Sequence, residues 1–284
     1  ADPGLRARTR LNQVHYAPLL ADVAPSLVAR RLDPPVQGGW SRFNPTVEAD
    51  GEGWLVLVRS SNYRIEPPGT YVFTDGDTIR TRYHLVRLDG SLNVGEPARP
   101  VADRTDPDLK LGGPVQDFED CRLVRVGGRL LATATTREHG PDAVARIALL
   151  DLELDGPEPA FANVRLLSPG RPGLHEKNWM PIPADDGLRL VYGLGPTAVL
   201  ACEPAAGRVR LDRLHDAVPA LHEFRGGSQL VRTADGWLCL VHEVAWWESG
   251  ERVYLHRFVA LDEDLRVTGY SHPFRFRLTG IEFA

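Results

Sequence analysis

Phe118-Glu119-Asp120-Cys121-Arg122-Leu123-Val124 places two carboxylates and a guanidinium at the head of an apolar run. Four other stretches share that design: Phe43-Asn44-Pro45-Thr46-Val47, Glu176-Lys177-Asn178-Trp179-Met180-Pro181-Ile182, Phe224-Arg225-Gly226-Gly227-Ser228-Gln229-Leu230-Val231 and Gly280-Ile281-Glu282-Phe283. The first four of the five in chain order lead into a Gly- or Asp-containing turn, a β-rich run, a second β-rich run and a polar return. Such a unit recurring every roughly 50 to 70 residues predicts propeller blades. The innermost strand of each blade faces a common axis, so polar clusters far apart in sequence would converge on one pocket.

The runs outside the clusters agree. Gly53-Trp54-Leu55-Val56-Leu57-Val58-Arg59-Ser60-Ser61 follows an Asp50-Gly51 turn, and Gly128-Arg129-Leu130-Leu131-Ala132-Thr133-Ala134-Thr135 holds the equivalent place in the second unit. Leu188 to Gly193 and Gly236 to Glu243 do so in the third and fourth. The expected fold is all-β: a five-bladed propeller with four-stranded blades, forming one domain over residues 1–284. The fifth unit stops soon after it begins. Residues 1–40 are therefore expected to act as an arm whose Ser26-Leu27-Val28-Ala29-Arg30-Arg31-Leu32 closes an incomplete last blade and hides its edge. A short helix is expected near Tyr16 to Val23. The loops Asn62 to Arg80, Asp103 to Gln116 and Trp246 to Gly250 exceed what hairpins need and are expected to shape a binding face.

Bulk properties narrow the partners. A net charge of -5 gives no basic footprint for nucleic acid. Three cysteines, Cys121, Cys202 and Cys239, lack CxxC spacing and predict reduced, buried small hydrophobes. No apolar run approaches the about 18 residues that cross a bilayer, so no membrane partner and a cytoplasmic location are expected. The start at Ala1 and the ending at Ala284 raise the expectation of a longer polypeptide.

In the second cluster, strand alternation predicts Asp120 and Arg122 on one face and Glu119 and Cys121 on the other. A carboxylate beside a fixed cation suits sugar or anion recognition, and in a partly dry pocket it can donate a proton. A structural salt bridge is the simpler alternative. His175-Glu176-Lys177-Asn178-Trp179 offers hydrogen-bonding groups beside an indole on which a sugar ring could stack, or else a Trp anchored between blades. Arg225 stands next to Gly226 and Gly227, which would let backbone approach a ligand, with Ser228 following. Arg59 and His242-Glu243 close equivalent strands. The common pocket is thus expected to collect Asn44, Arg59, Asp120, Arg122, Lys177, Arg225, His242 and Glu282, with Glu119, Glu176, Asn178, Trp179 and Ser228 as further binding residues. The chain has no GxxxxGK[ST], HExxH or GxSxG, nor GxGxxG after a strand.

From about Phe43 onward the chain resembles the five-bladed propellers of glycoside hydrolase family 130, the β-mannoside phosphorylases and hydrolases, and the related mannosyltransferase-phosphorylases. The resemblance is carried by Asn44-Pro45, Arg59-Ser60-Ser61, Glu119-Asp120-Cys121-Arg122 against Glu-Asp-Pro-Arg, Lys177 with Pro181, and Gly236-Trp237-Leu238-Cys239-Leu240-Val241-His242. It implies an inverting, metal-free and cofactor-free enzyme acting on a mannose-like glycosyl unit as glycosidase, phosphorylase or glycosyltransferase. Asp120 would be the general acid, working through a sugar hydroxyl, and Arg59, Arg122 and Lys177 would hold inorganic phosphate as co-substrate or a donor's phosphates. Cys121 replaces the family's proline, and Gly193-Leu194 stands where the family carries a histidine. With water as the attacking group, a second carboxylate about 6.5 to 9.5 Å from the acid is needed, and Glu176, Glu243 and Glu282 are the candidates. The expected partner is a saccharide or glycosyl donor, with a homo-oligomer left open. The alternative is a non-catalytic sugar-binding propeller module associated with a glycosyltransferase or polysaccharide pathway.

Overall fold

The computed structural model describes residues 16–32, 39–66, 69–140, 142–167, 173–183, 187–246 and 252–277. The first sheet contains β1 (Ser41–Asp50) and β2 (Gly53–Ser61); the hairpin β3 (Tyr63–Glu66) and β4 (Thr70–Phe73) is inserted before β5 (Thr81–Leu88) and β6 (Arg99–Asp103) complete it. The second is β7 (Phe118–Val126), β8 (Arg129–Thr136), β9 (Arg146–Glu153) and β10 (Ala160–Leu167). The third is β11 (Met180–Ile182), β12 (Leu188–Leu194), β13 (Thr197–Glu203) and β14 (Arg208–His215). In the fourth, β15 (Arg225–Gly226) and β16 (Val231–Thr233) both pair with β17 (Gly236–Trp246), followed by β18 (Arg252–Leu261) and β19 (Val267–Tyr270). Each sheet is an antiparallel meander, and the set makes a β-propeller.

The middle strands are buried on both faces, which explains why they are apolar without alternation. Leu55, Val56, Leu57 and Val58 are all buried in β2, as are Leu130 to Thr136 in β8. Gly51 and the pair Gly127-Gly128 take positive φ at the turns that launch these strands. Among the described residues the three larger cores lie in seams between neighbouring sheets. Leu55, Leu57 and Tyr83 meet Phe118, Leu123 and Leu150 between the first two sheets. Val124, Leu131 and Leu149 meet Trp179, Leu188 and Leu190 in the next seam. Met180, Val191 and Val199 meet Phe224, Val241 and Val259 in the third. The outer strands β6 and β10 also pair in parallel at Ala102 with Ala160 and Asp103 with Phe161, so the first two sheets make one nearly closed eight-stranded surface.

Cys121, Cys202 and Cys239 are free and buried. Burial pushes the thiols of Cys121 and Cys239 up to about 12, leaving them uncharged small hydrophobes.

Several expectations need correction. Leu27 to Leu32 forms no strand and is exposed. The N-terminal region instead uses Leu19, which bridges Arg275 in parallel, while Phe274 pairs with His256 on β18. Leu27, Val28 and Leu32 all stay exposed, so the stretch buries no apolar face against a blade. The short helix, α1, is confined to Leu20–Val23. The Asn62 to Arg80 loop contains the β3–β4 hairpin. Gly280-Ile281-Glu282-Phe283 and residues 247–250 lie outside the described residues.

Candidate functional site

Three polar residues reach the propeller axis by the same local device. Asn44, Asp120 and Asn178 have φ of 48°, 53° and 61°, the left-handed region that Asn and Asp tolerate better than other side-chain-bearing residues. The pairing register slips between Phe43 and Thr46 in β1 and between Glu119 and Arg122 in β7. Each slip is a bulge that re-aims the residues around it.

The bulge in β7 overturns the expected alternation. Glu119 and Asp120 converge on one guanidinium: Arg59 donates Nη1 to Asp120 Oδ1 at 2.6 Å and Nη2 to Glu119 Oε1 at 3.2 Å. Asn44 Nδ2 donates to the same Asp120 oxygen. Cys121 turns into the seam, where its backbone N–H donates to the Tyr83 hydroxyl at 3.1 Å. Lys177 Nζ lies 3.5 Å from Glu119 Oε2. Arg59 is only 2% exposed. Its burial would weaken the cation, but Asp120 and other neighbours outweigh that and hold the guanidinium above its ordinary value. For Asp120 burial pushes upward, but Arg59, Arg122, Lys177 and the Asn44 hydrogen bond outweigh it and hold the carboxyl below its usual range.

A cavity of about 670 Å³ opens over this cluster. Of the residues expected there, Asn44, Arg59, Glu119, Asp120, Lys177, Asn178, Arg225 and His242 line it. Burial first, then Arg122 and His256, push His242 down to about 3, so it presents a neutral imidazole.

Other expected residues go elsewhere. Arg122 donates Nε to the Gly227 carbonyl at 2.6 Å, Nη1 to that of Asp120 at 2.9 Å and Nη2 to that of Gly226 at 3.4 Å. It therefore ties β7 to the fourth sheet, with its donors spent on backbone rather than aimed at an anion. A Cβ at Gly226 would stand 2.1 Å from the Asn178 carbonyl oxygen, so this glycine admits the neighbouring inner strand rather than a ligand. The Ser228 hydroxyl accepts from Leu240 N–H at 3.0 Å and donates to the Gln229 carbonyl at 2.7 Å, bridging the gap between β15 and β16. Trp179 is buried in a seam against Tyr192, and its Nε1 donates to Glu176 Oε2 at 3.3 Å. Tyr192 Oη donates to the other Glu176 oxygen at 3.3 Å. This indole is a core anchor and offers no sugar platform. Glu243 neighbours His242 on β17 and is buried outside the cavity lining, within the field of Arg257. Glu282 lies outside the described residues.

Sequence reasoning missed the aromatic wall. Phe43, Tyr63 and Tyr71 follow one another at centroid spacings of 5.6 Å and 5.0 Å. Tyr254 and Phe276 also line the cavity. The signal was the alternation Tyr63-Arg64-Ile65 and Tyr71-Val72-Phe73 inside the long Asn62 to Arg80 segment, which marks a hairpin with one aromatic face.

Solved structures share this fold. One belongs to glycoside hydrolase family 130, a family of mannoside phosphorylases that contains hydrolases targeting β-1,2-mannosidic linkages in Candida mannan; it aligns with a TM-score of 0.59 at 14% identity, over 85% of this chain and 73% of that one. A glycosyl hydrolase from Bacteroides ovatus aligns at 0.56 with 13% identity, over 84% and 72%. The β-1,2-mannobiose phosphorylase from Listeria innocua, in complex with β-1,2-mannobiose, aligns at 0.51 with 14% identity, over 84% and 78%. The resemblance drawn from short motifs is thus matched in shape over most of the chain. No protein-family model and no curated protein matches the sequence.

Proposed function

We propose that the axial cavity is the active site of an inverting enzyme that cleaves a mannose-like glycoside, with inorganic phosphate as the attacking group. The observation that carries this reading is Asp120, turned into the cavity by the β7 bulge and braced by Asn44 and Arg59. Asp120 gives its proton to the glycosidic oxygen, directly or through a sugar hydroxyl, as the bond to the anomeric carbon breaks. A phosphate oxygen bonds to that carbon from the opposite face, and a glycosyl phosphate and a shortened saccharide leave. Lys177 and Arg225 line the cavity and suit the phosphate, while neutral His242 and Asn178 supply hydrogen bonds.

The cations around Asp120 hold its carboxyl below the usual range. Arrival of an anion offsets their field and lets the carboxyl take the proton it later donates. Glu119, the other described carboxylate of the lining, is tied to Arg59 and Lys177, which suits it to fix those cations rather than to activate water.

A second reading, a sugar-binding pocket without turnover, is favoured by the cations packed around Asp120, which oppose its protonation. Incubating the protein with mannosides with and without phosphate, and following products by mass, separates the readings. Sugar phosphate formed only with phosphate present supports phosphorolysis, and free sugar in both arms means hydrolysis. Asp120→Asn should reduce turnover by about 10²–10⁴-fold while retaining affinity. Binding with no product from the parent protein would establish the non-catalytic pocket.

A further inference from the structure

The cavity is far more cationic than the chain that builds it. Arg42, Arg59, Arg64, Lys177, Arg225 and Arg252 line it against two described carboxylates, Glu119 and Asp120, in a protein of net charge -5. Both carboxylates sit at the inner end with Arg59 and Lys177. The excess positive charge therefore belongs to the rest of the cavity.

Strand register separates two regions. Arg225 pairs with His242 on β17, whereas Arg252 pairs with Trp246, four residues farther along the same strand. At about 3.4 Å per residue this is roughly 14 Å, room for a sugar ring between the two. The outer region is where the hairpin stands: Tyr63, Ile65 and Tyr71 share one of its faces, and Tyr254, within the field of Tyr71 and hydrogen-bonded by Arg252, lines the cavity with them. Tyr71 is exposed, so its ring is accessible. Arg64 stands on the other face of the hairpin, where it bonds Glu66 at 2.8 Å, which leaves Arg252 as the guanidinium beside the aromatic wall. Aromatic rings suit the C–H face of a pyranose, and a guanidinium suits an acidic group at its edge.

Building on the proposed glycoside cleavage, we propose that the hairpin side of the cavity is a subsite for an anionic sugar unit, whose ring lies on Tyr71 and whose acidic group meets Arg252. The substrate is then an acidic saccharide in which a mannose-like unit is linked to a uronic acid or a phosphorylated sugar.

Calorimetric titration of the Asp120→Asn protein tests this with three disaccharides that differ only at C6 of the second unit: mannosyl-β-1,4-glucose, the matching glucuronate and the matching 6-phosphate. One or both acidic ligands should bind at least about tenfold tighter than the neutral one, with the advantage shrinking in salt. The preference between carboxylate and phosphate identifies the source of the charge. Arg252→Gln should erase the advantage, and Tyr71→Ala should weaken all three. Equal affinity for neutral and acidic ligands, or an acidic preference untouched by Arg252→Gln, overturns the inference while leaving the proposed activity standing. Tight acidic binding without turnover by the parent protein supports the subsite and removes the activity. Binding of none of the three overturns the subsite.

Discussion

At the scale of single residues, Arg59 links stability to chemistry. It is buried, and it bridges Asp120, Glu119 and, at 3.4 Å, the Thr81 hydroxyl. Arg59→Met would leave two adjacent carboxylates in a low-dielectric site with Arg122 and Lys177 as their remaining counter-charges. Removing one partner of a buried ion pair costs about 3–5 kcal/mol, so urea unfolding at neutral pH should show a loss of that order. Adding Glu119→Gln should recover part of it by removing one stranded charge, a coupling that a double-mutant cycle would measure. A loss under 1 kcal/mol would mean that Arg59 does not hold the pair together. The sequence made Arg59 and Asp120 visible as candidates but not their geometry. Alternation is a rule for regular strands, and the left-handed turn at Asp120 breaks it without a glycine to announce the break. Trp179 shows the opposite difficulty: a sugar platform and a core anchor have the same local sequence, and only the seam distinguishes them.

At the scale of elements, the hairpin hangs on one side chain. Asn62 is fully buried at its stem and donates Nδ2 to the Asp75 carbonyl at 2.8 Å and the Thr78 carbonyl at 2.9 Å, while its Oδ1 accepts from Arg80 N–H at 2.8 Å. An isolated two-stranded hairpin is marginal in water, so this anchor, rather than β3–β4 pairing, sets the position of Tyr63 and Tyr71. Asn62→Ala should therefore loosen the hairpin selectively. Amide exchange over Tyr63–Glu66 and Thr70–Phe73 should accelerate well beyond that of β2 and β5, and saccharide affinity should fall by about tenfold or more. Unchanged exchange in the hairpin would refute the anchoring role. The length of the Asn62 to Arg80 segment was legible as an insertion, which the structure places at the cavity wall, and its hairpin was not, because four-residue strands carry little periodic signal. The blades were legible for the converse reason. Runs such as Trp54 to Val58 are apolar because both faces are buried, a pattern long enough to survive without alternation.

At the scale of the whole molecule, two histidines from neighbouring strands make stability depend on pH. His242 and His256 lie 6.5 Å apart between centroids, and His256 packs among Phe274 and Phe276. Burial pushes His256 down to about 4, and burial with nearby cations pushes His242 down to about 3. Both stay neutral in the fold while the unfolded chain protonates them near 6.5, so their contribution is fully present above that value and is lost as pH falls toward 4. The depressed Asp120 carboxyl adds a loss in the same direction at still lower pH, whereas Glu48 and Glu138, raised chiefly by burial, oppose it. Comparing the parent with His256→Phe isolates one group from this sum, since phenylalanine fits an aromatic surround and does not titrate. Between pH 7 and pH 5 the parent should lose roughly 2 kcal/mol relative to the variant, the cost of protonating one histidine in the unfolded chain alone. Urea midpoints across that range would show the two curves diverging on acidification. Parallel curves would mean that His256 takes up its proton without disturbing the β18 contact with Phe274, and that the closure of the fourth sheet tolerates a buried charge.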